Sequence, residues 1–254
     1  MLFSVDTLIA QFIGALHAHR EPQLEQDPFP HLVLDDVLPV DFVHGLAGEI
    51  DGIRNWFRYD SPLEKKSTCN KWDEFGPYLY SYFTAMLSDD VAREIAVKFG
   101  IDRLVPDIGL HGGGVHVSNN GDKLNVHQDY SIHPKVGLER RINVIFHVEP
   151  MWQPYFGGHL ELWSGGDQPE HMRRRIISTF NRMIVFATSP GSWHGFPEPI
   201  EGVDSIRRKS LATYYLSELT DDAVERYRAK YAPTEAQKDD GHVLALIRER
   251  SAKP

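Results

Sequence analysis

Three short segments of this 254-residue chain carry side chains whose types and spacing could do chemistry together. In Asn125-Val-His127-Gln-Asp129-Tyr130 an imidazole and a carboxylate stand two residues apart. Successive side chains of an extended chain alternate faces, so His127 and Asp129 point the same way and can reach one ion. Thirteen histidines make chance pairs of this kind common, and a hydrogen-bonded turn pair would have the same spacing. Ser189-Pro-Gly-Ser-Trp193-His194-Gly195 offers a third ligand: a histidine at a strand start, behind a turn rich in Gly and Pro. Two imidazoles and one carboxylate, with three facial positions open, suit non-haem Fe(II), which must take up a co-substrate and dioxygen at once. A zinc hydrolase can use the same donors, although zinc prefers four-coordinate sites, and spacing alone does not choose between the metals. The third segment, residues 206–216, alternates as a strand, so Arg208, Ser210, Ala212 and Tyr214 share one face. A buried guanidinium with a hydroxyl two residues on is a carboxylate clamp, because its fork matches a carboxylate bidentately. Beside an open metal site, such a clamp implies a chelating 2-oxo acid with a distal carboxylate. Taken by itself, Arg208 could equally pair with a surface acid.

The elements that must position these residues fall into two textures. Leu8, Phe12, Ile13 and Leu16 recur at helical spacing and predict an amphipathic helix over 5–19, ended by Glu21-Pro22. His31–Asp36 reads as a short strand, and a second helix runs from Pro39 to about Ile50 with Asp41 at its positive end. Residues 51–90 are rich in aromatics and weak in period. They predict a mixture of loop and helix, with helices over 78–87 and 91–99; the segment is either a lid or substrate wall, or core packing. After Gly100, short apolar runs bounded by Gly, Pro, Asn and Asp set the cadence of an all-β barrel or sandwich. The predicted strands are 107–111, 114–118, 123–127, 141–149, 158–163, 174–179, 182–187, 193–196 and 207–217. Asn119-Asn-Gly-Asp122 predicts a hairpin turn, Arg173-Arg-Arg175 a solvated turn before a strand, and the tail from Asp221 a return to helix. No internal repeat or long linker divides the chain. The expectation is one domain over 1–254: helical support and a lid over 1–100, a β core of about eight strands over 101–218, and C-terminal helices over 219–254.

With the three segments in this order, the sequence resembles the Fe(II)/2-oxoglutarate dioxygenases, in particular their prolyl-4-hydroxylase-like group. The resemblance runs from about Pro30 to Ser217. It includes Arg140-Arg-Ile-Asn143, the segment from Trp152 through Gly157-Gly-His-Leu160 to Trp163, Asn181–Phe186 before the distal histidine, and the opening Phe29–Pro39. It implies a mainly β fold with flanking helices: a double-stranded β-helix (jelly-roll) core packed by N-terminal helices. It also implies that His127, Asp129 and His194 hold Fe(II) and that Arg208 binds the distal carboxylate of 2-oxoglutarate, with Ser210 or Tyr214 assisting. Arg207 is the alternative clamp, and strand alternation aims it away if Arg208 points inward. Asn143 and Tyr130 are candidates for co-substrate contact or support, His116 for substrate contact. Structural or solvated roles are expected for His17, His19, His31, His44, His111, His133, His147, His159, His171 and His242. Halogenating relatives replace the carboxylate ligand with a small residue. Asp129 is present, so the resemblance implies hydroxylation or a related oxidation with dioxygen, releasing succinate and CO2, with ascorbate as a reductant.

Composition bounds the rest. Apolar residues at 41% and charged residues at 25% are ordinary for a globular chain and exclude a disordered one. A net charge of −9 argues against a nucleic-acid partner, which needs clustered Lys and Arg. One cysteine, Cys69, excludes an internal disulfide framework and fits a reducing compartment such as the cytoplasm. No run reaches about 18 apolar residues, and the N-terminus lacks a basic region, so neither a membrane span nor a signal peptide is expected. A small molecule such as an amino acid, sugar or natural-product intermediate is the expected substrate. A protein prolyl residue is the alternative, and a cupin-type metalloenzyme needing no 2-oxoglutarate is the rival class.

Overall fold

The computed structural model describes residues 3–18, 24–202, 204–221 and 223–251. Two antiparallel sheets face each other. The larger runs in the order β1 (His31–Leu34), β10 (Arg182–Ala187), β7 (Glu139–His147), β12 (Arg208–Ser217), β5 (Gly114–Ser118), β3 (Lys65–Cys69), β2 (Phe57–Asp60), with β4 (Val105–Pro106) also on β12. The smaller runs β13 (Lys230–Tyr231), β6 (Leu124–Gln128), β11 (Trp193–Phe196), β8 (Leu160–Ser164), β9 (His171–Ile176). From β5 onward the chain passes from one sheet to the other, and the result is a double-stranded β-helix.

The period-two pattern sorts side chains between a helix-facing and a cavity-facing side of the large sheet. Val115 and Val117 of β5, Ile142, Val144 and Phe146 of β7, Met183 and Val185 of β10 and Leu211 and Tyr215 of β12 join one core with the helices. That core also takes the apolar stripes of α1 (Val5–Leu16), α2 (Val40–Gly52), α3 (Pro77–Met86) and α4 (Asp89–Phe99), including Phe12, Phe42, Phe83 and Ile95. Covered on both faces, β12 is buried along all of its 10 residues, as a central strand must be to hold polar side chains dry. Between the sheets, one end is filled by Phe29, Leu160, Leu162, Ile176, Ile184 and Phe186. The other end is left open as a cavity. Ser4 and Ser88 cap α1 and α4 by accepting from Thr7 N and Val91 N, which satisfies otherwise orphaned donors.

Several expectations are corrected. Residues 1–100 hold three strands as well as helices: β2 and β3 pair as a hairpin and extend the large sheet through β5. Residues 107–111 form a turn rather than a strand. The turn at 119–122 joins β5 of one sheet to β6 of the other, so it is a corner and not a hairpin. Arg173, Arg174 and Arg175 lie in β9 and pair with Asp27, Glu25 and Glu161. The tail returns to helix only at α5 (Gly241–Ser251), after β13; described residues from 223 to 229 are not helical. Helix α1 ends at Leu16, and the expected end at Glu21-Pro22, like His19, lies outside the described residues. No helix among the described residues is long and apolar enough to cross a membrane.

Candidate active site

Strands β6 and β11 lie side by side with His127 directly opposite His194. Gly195 lets them close: a Cβ there would stand 2.8 Å from the carbonyl oxygens of Leu124 and Asn125. Each imidazole is oriented by its own strand. His127 Nδ1–H donates to the Asn125 carbonyl and His194 Nδ1–H to the Ser192 carbonyl, both at 3.0 Å. Carbonyls can only accept, so both Nε2 lone pairs are free and face inward. Asp129, one residue past β6, stands 3.7 Å from each: Oδ1 to His127 Nε2 and Oδ2 to His194 Nε2. The three ligand atoms lie within 4.8 Å of one another, in the arrangement of a metal-binding triad. Donors about 2.0–2.2 Å from one ion sit only slightly closer together than this, so the set fits a divalent metal. Burial first, then the neighbouring His127, push the His194 imidazole down to about 4, keeping it in the neutral form that a ligand requires.

The carboxylate is held from behind. Asn143 Nδ2 donates to Asp129 Oδ2 at 3.0 Å, and Arg140 Nη1 lies 3.3 Å from the same oxygen. Arg226 Nε and Nη2 donate to the Asp129 backbone carbonyl at 2.9 and 2.6 Å. Burial would raise the Asp129 carboxyl, but Arg140 and the two histidines outweigh it and hold the group well below the usual carboxylate range. Arg140 is clamped between the rings of Tyr130 and Tyr214, 3.5 Å from each centroid, and donates to the His111 carbonyl. Sequence reasoning did not assign Arg140 a role, for a definite reason. Strict alternation puts Arg140 and Asn143 on opposite faces of β7. A bulge between the Ile142 and Arg140 pairings with β12 shifts the phase by one residue and turns both into the cavity.

Opposite the triad, Arg208 enters the same cavity from β12. It is buried, its Nε reaches Ser178 Oγ at 3.4 Å, and its guanidinium faces the Phe196 ring. It meets no carboxylate among the described residues, and burial lowers it to about 10. Gly158 makes its room: at φ +63°, a Cβ there would stand 2.8 Å from Arg208 Cδ. Arg207 turns to the surface and pairs with Asp51 at 2.5 Å, as strand alternation predicts.

The cavity has a volume of about 490 Å³. Ser210, Tyr214, Asn143, Tyr130 and His116 all line it. Tyr130 is pushed up to about 12, chiefly by burial, and its hydroxyl donates to the His111 carbonyl. His116 is driven down to about 3 by burial and then by Lys66 and Arg208, so it stands neutral in the wall. Of the histidines expected to be structural, His17 pairs with Glu94, His31 with the Phe29 carbonyl and His159 with Ser178 N. His111 lines the cavity as well. The aromatic segment 51–90 divides: Phe57 and Tyr59 form cavity wall, while Trp72, Phe75, Tyr82 and Phe83 pack in the helical core.

Residues 113–216 match the 2OG-Fe(II) oxygenase superfamily profile. Over 202 residues, 78% of the chain, the sequence is 26% identical to prolyl 3-hydroxylase OGFOD1 of Mus musculus; the match covers 34% of that protein, so the chain spans about a third of its length. The fold is similar to a prolyl-4-hydroxylase of Pseudomonas putida, with TM-score 0.55 and 16% identity over 84% of this chain and 100% of that one. It is also similar to HygX of Streptomyces hygroscopicus, solved with nickel, 2-oxoglutarate and hygromycin B, with TM-score 0.50 and 11% identity over 78% of this chain and 91% of that one. The triad and the buried arginine all fall within residues 113–216, the segment that resembles the 2OG-Fe(II) oxygenase superfamily.

Proposed function

We propose that this chain is a 2-oxoglutarate-dependent non-haem iron dioxygenase that hydroxylates an unactivated C–H bond. The observation that carries the reading is a buried arginine without an acidic partner among the described residues, in one cavity with an open two-histidine, one-carboxylate triad. A desolvated cation of this kind is costly until an anion answers it. In this reading His127, Asp129 and His194 hold Fe(II), and Arg208 with Ser210 receives the distal carboxylate of 2-oxoglutarate. When bound, iron and 2-oxoglutarate supply an oxidant from dioxygen, with succinate and CO2 released. The chain's own share is positional. Arg140 and Asn143 fix the Asp129 carboxylate, Tyr130 and Tyr214 exclude water from its far side, and the walls present one C–H bond to the metal. Arg208 has no such use in a cupin-type enzyme working without a 2-oxo acid, nor in a zinc hydrolase.

The substrate is read as a small molecule such as an amino acid, sugar or natural-product intermediate, entering a cavity walled by Phe57, Tyr59 and Tyr231. The second reading, a protein prolyl residue, is favoured by the name of the curated relative, a prolyl 3-hydroxylase. The single cysteine fits work in a reducing compartment, the cytoplasm, where ascorbate or another reductant keeps iron ferrous. The test is succinate release from 2-oxoglutarate, screened over small molecules and proline-containing peptides. Turnover with one class and not the other chooses between the readings, and turnover that needs no 2-oxoglutarate overturns both.

A further inference from the structure

Beyond the triad, the cavity wall holds an excess of cations whose placement follows from strand register. Lys66, Lys71, Arg140, Arg208 and Arg250 line it, against two acids, Glu64 and Asp129. Asp129 is answered by Arg140 and Glu64 by Arg250, at 3.3 and 2.7 Å. Lys71 is exposed at the rim, where solvent screens it. Two cations remain. Arg208 is reserved for the co-substrate, so Lys66 is left over.

Alternation on β3 separates Lys66 from its neighbour. Lys65 points out and pairs with Asp60 at 3.6 Å, with 43% of its side chain exposed, whereas Lys66 turns into the cavity with 15% exposed. Lys66 Nζ makes no hydrogen bond among the described residues. Among the described residues its only acid within ion-pair distance is Glu64 at 3.8 Å, already engaged by Arg250, and it stands 5.4 Å from the centre of the Tyr59 ring. Thr68 of β3, His116 of β5 and Ser210 of β12 form one row across the sheet. Lys66 follows two residues before Thr68 on the same face, two strands from Arg208, roughly 10 Å along the wall. Apart from Glu64, the row beside it, Thr68, His116 and Ser210, is hydrogen-bonding and carries no acid.

We infer that the substrate carries an oxyanion group, a carboxylate or phosphate, which Lys66 receives with the Thr68 hydroxyl and the His116 ring beside it; this rests on the reading of the site given above. Arg208 and Lys66 then divide the two anions of the ternary complex between opposite ends of one wall.

The full chain loaded with Mn(II) and 2-oxoglutarate tests this by paramagnetic relaxation. Addition of 2-oxoglutarate must first change the water-proton relaxivity; failure there contradicts the dioxygenase reading itself. With 2-oxoglutarate saturating, inorganic phosphate, propionate and neutral propionamide are titrated, reading ³¹P and probe-proton relaxation. The expected result is saturable relaxation of an oxyanion and none of the amide. Phosphate above propionate assigns a phosphate ester, and the reverse a carboxylic acid. Lys66→Met is expected to weaken the oxyanion by at least about tenfold and Lys66→Arg to restore it, with 2-oxoglutarate affinity moving by less than about twofold. No saturable oxyanion binding, equal binding of the amide, or binding unchanged in Lys66→Met each overturns the assignment. So does equal loss of 2-oxoglutarate and oxyanion affinity, which would give Lys66 to the co-substrate.

Discussion

The two ends of the cavity are built to different rules. At the inner end the carboxylate ligand is held by several partners: Asn143 and Arg140 at the Asp129 side chain and Arg226 at its backbone carbonyl, with Arg140 held in turn by two tyrosine rings and a carbonyl. The outer wall, made by the β2–β3 hairpin and closed by α5, is half-exposed, with Phe57 at 62% exposure and one carboxylate, Glu64, shared by two cations. Preorganised donors cost nothing to arrange at the moment of reaction, which is what a metal and a chelating co-substrate need. A wall with under-satisfied polar groups is suited to a ligand that completes it. On the proposed reading, the difference gives chemistry to the inner end and selection to the outer one.

The largest effect that would break this division is at the triad. Asp129→Ala is expected to abolish succinate formation and metal binding, with Asp129→Asn as the same-shape control for folding by circular dichroism. Retained turnover in either variant would remove the ligand assignment. Next comes the clamp. Arg208→Ala should raise the 2-oxoglutarate requirement by about 100-fold, the cost of truncating one partner of a buried charge pair, whereas Arg207→Ala, a surface pair with Asp51, should change it by less than about threefold. Equal shifts in the two titrations would mean that the wrong arginine has been chosen. Arg140→Leu should weaken metal affinity by about 10–100-fold, as loss of a group that orients a ligand does, and metal competition measures it directly. Unchanged affinity would reduce Arg140 to packing.

The smallest effect sharpens the outer end. Burial raises the Glu64 carboxyl, but Lys66 and Arg250 outweigh it and leave it below its ordinary value. A carboxyl lowered on folding stabilises fully above its unfolded value of about 4.3 and loses that contribution as pH falls through its folded value. The melting-temperature gap between wild type and Glu64→Gln should therefore be constant near neutrality and shrink below about pH 4. A gap that widens in acid would reverse the sign assigned to this pair.

Much of the inner end was legible in the sequence, because it depends on local period. The two-residue spacing of His127 and Asp129, the Gly-flanked His194 and the alternation from Arg208 to Tyr214 all survive as placed. What was not legible depends on departures from period or on distant pairing. Arg140 is turned inward by a bulge whose partner strand lies about 75 residues away, which no local pattern encodes. The β2–β3 hairpin hid because Phe57 and Tyr59 look like core aromatics, whereas at the sheet edge Phe57 is exposed and Tyr59 only partly buried. The corner at 119–122 has hairpin residues, since Asn and Gly satisfy a tight turn whether the strands beyond it pair or diverge. Residues 223–229 carry Ala, Val and Tyr at helical spacing, yet they form no helix, and Arg226 reaches back to the Asp129 backbone carbonyl. In this region a tertiary hydrogen bond accompanies the departure from local propensity.

The central claim is that triad and arginine together make a chelate site, and an anaerobic titration tests it most directly. Fe(II) is added to the apo-protein, then 2-oxoglutarate, while the visible spectrum is recorded. The account predicts a weak charge-transfer band that appears only when both are present and that Arg208→Ala shifts to much higher 2-oxoglutarate concentration. Bound iron with no band at any 2-oxoglutarate concentration would contradict it, and would leave Arg208 without a role in the cavity it faces.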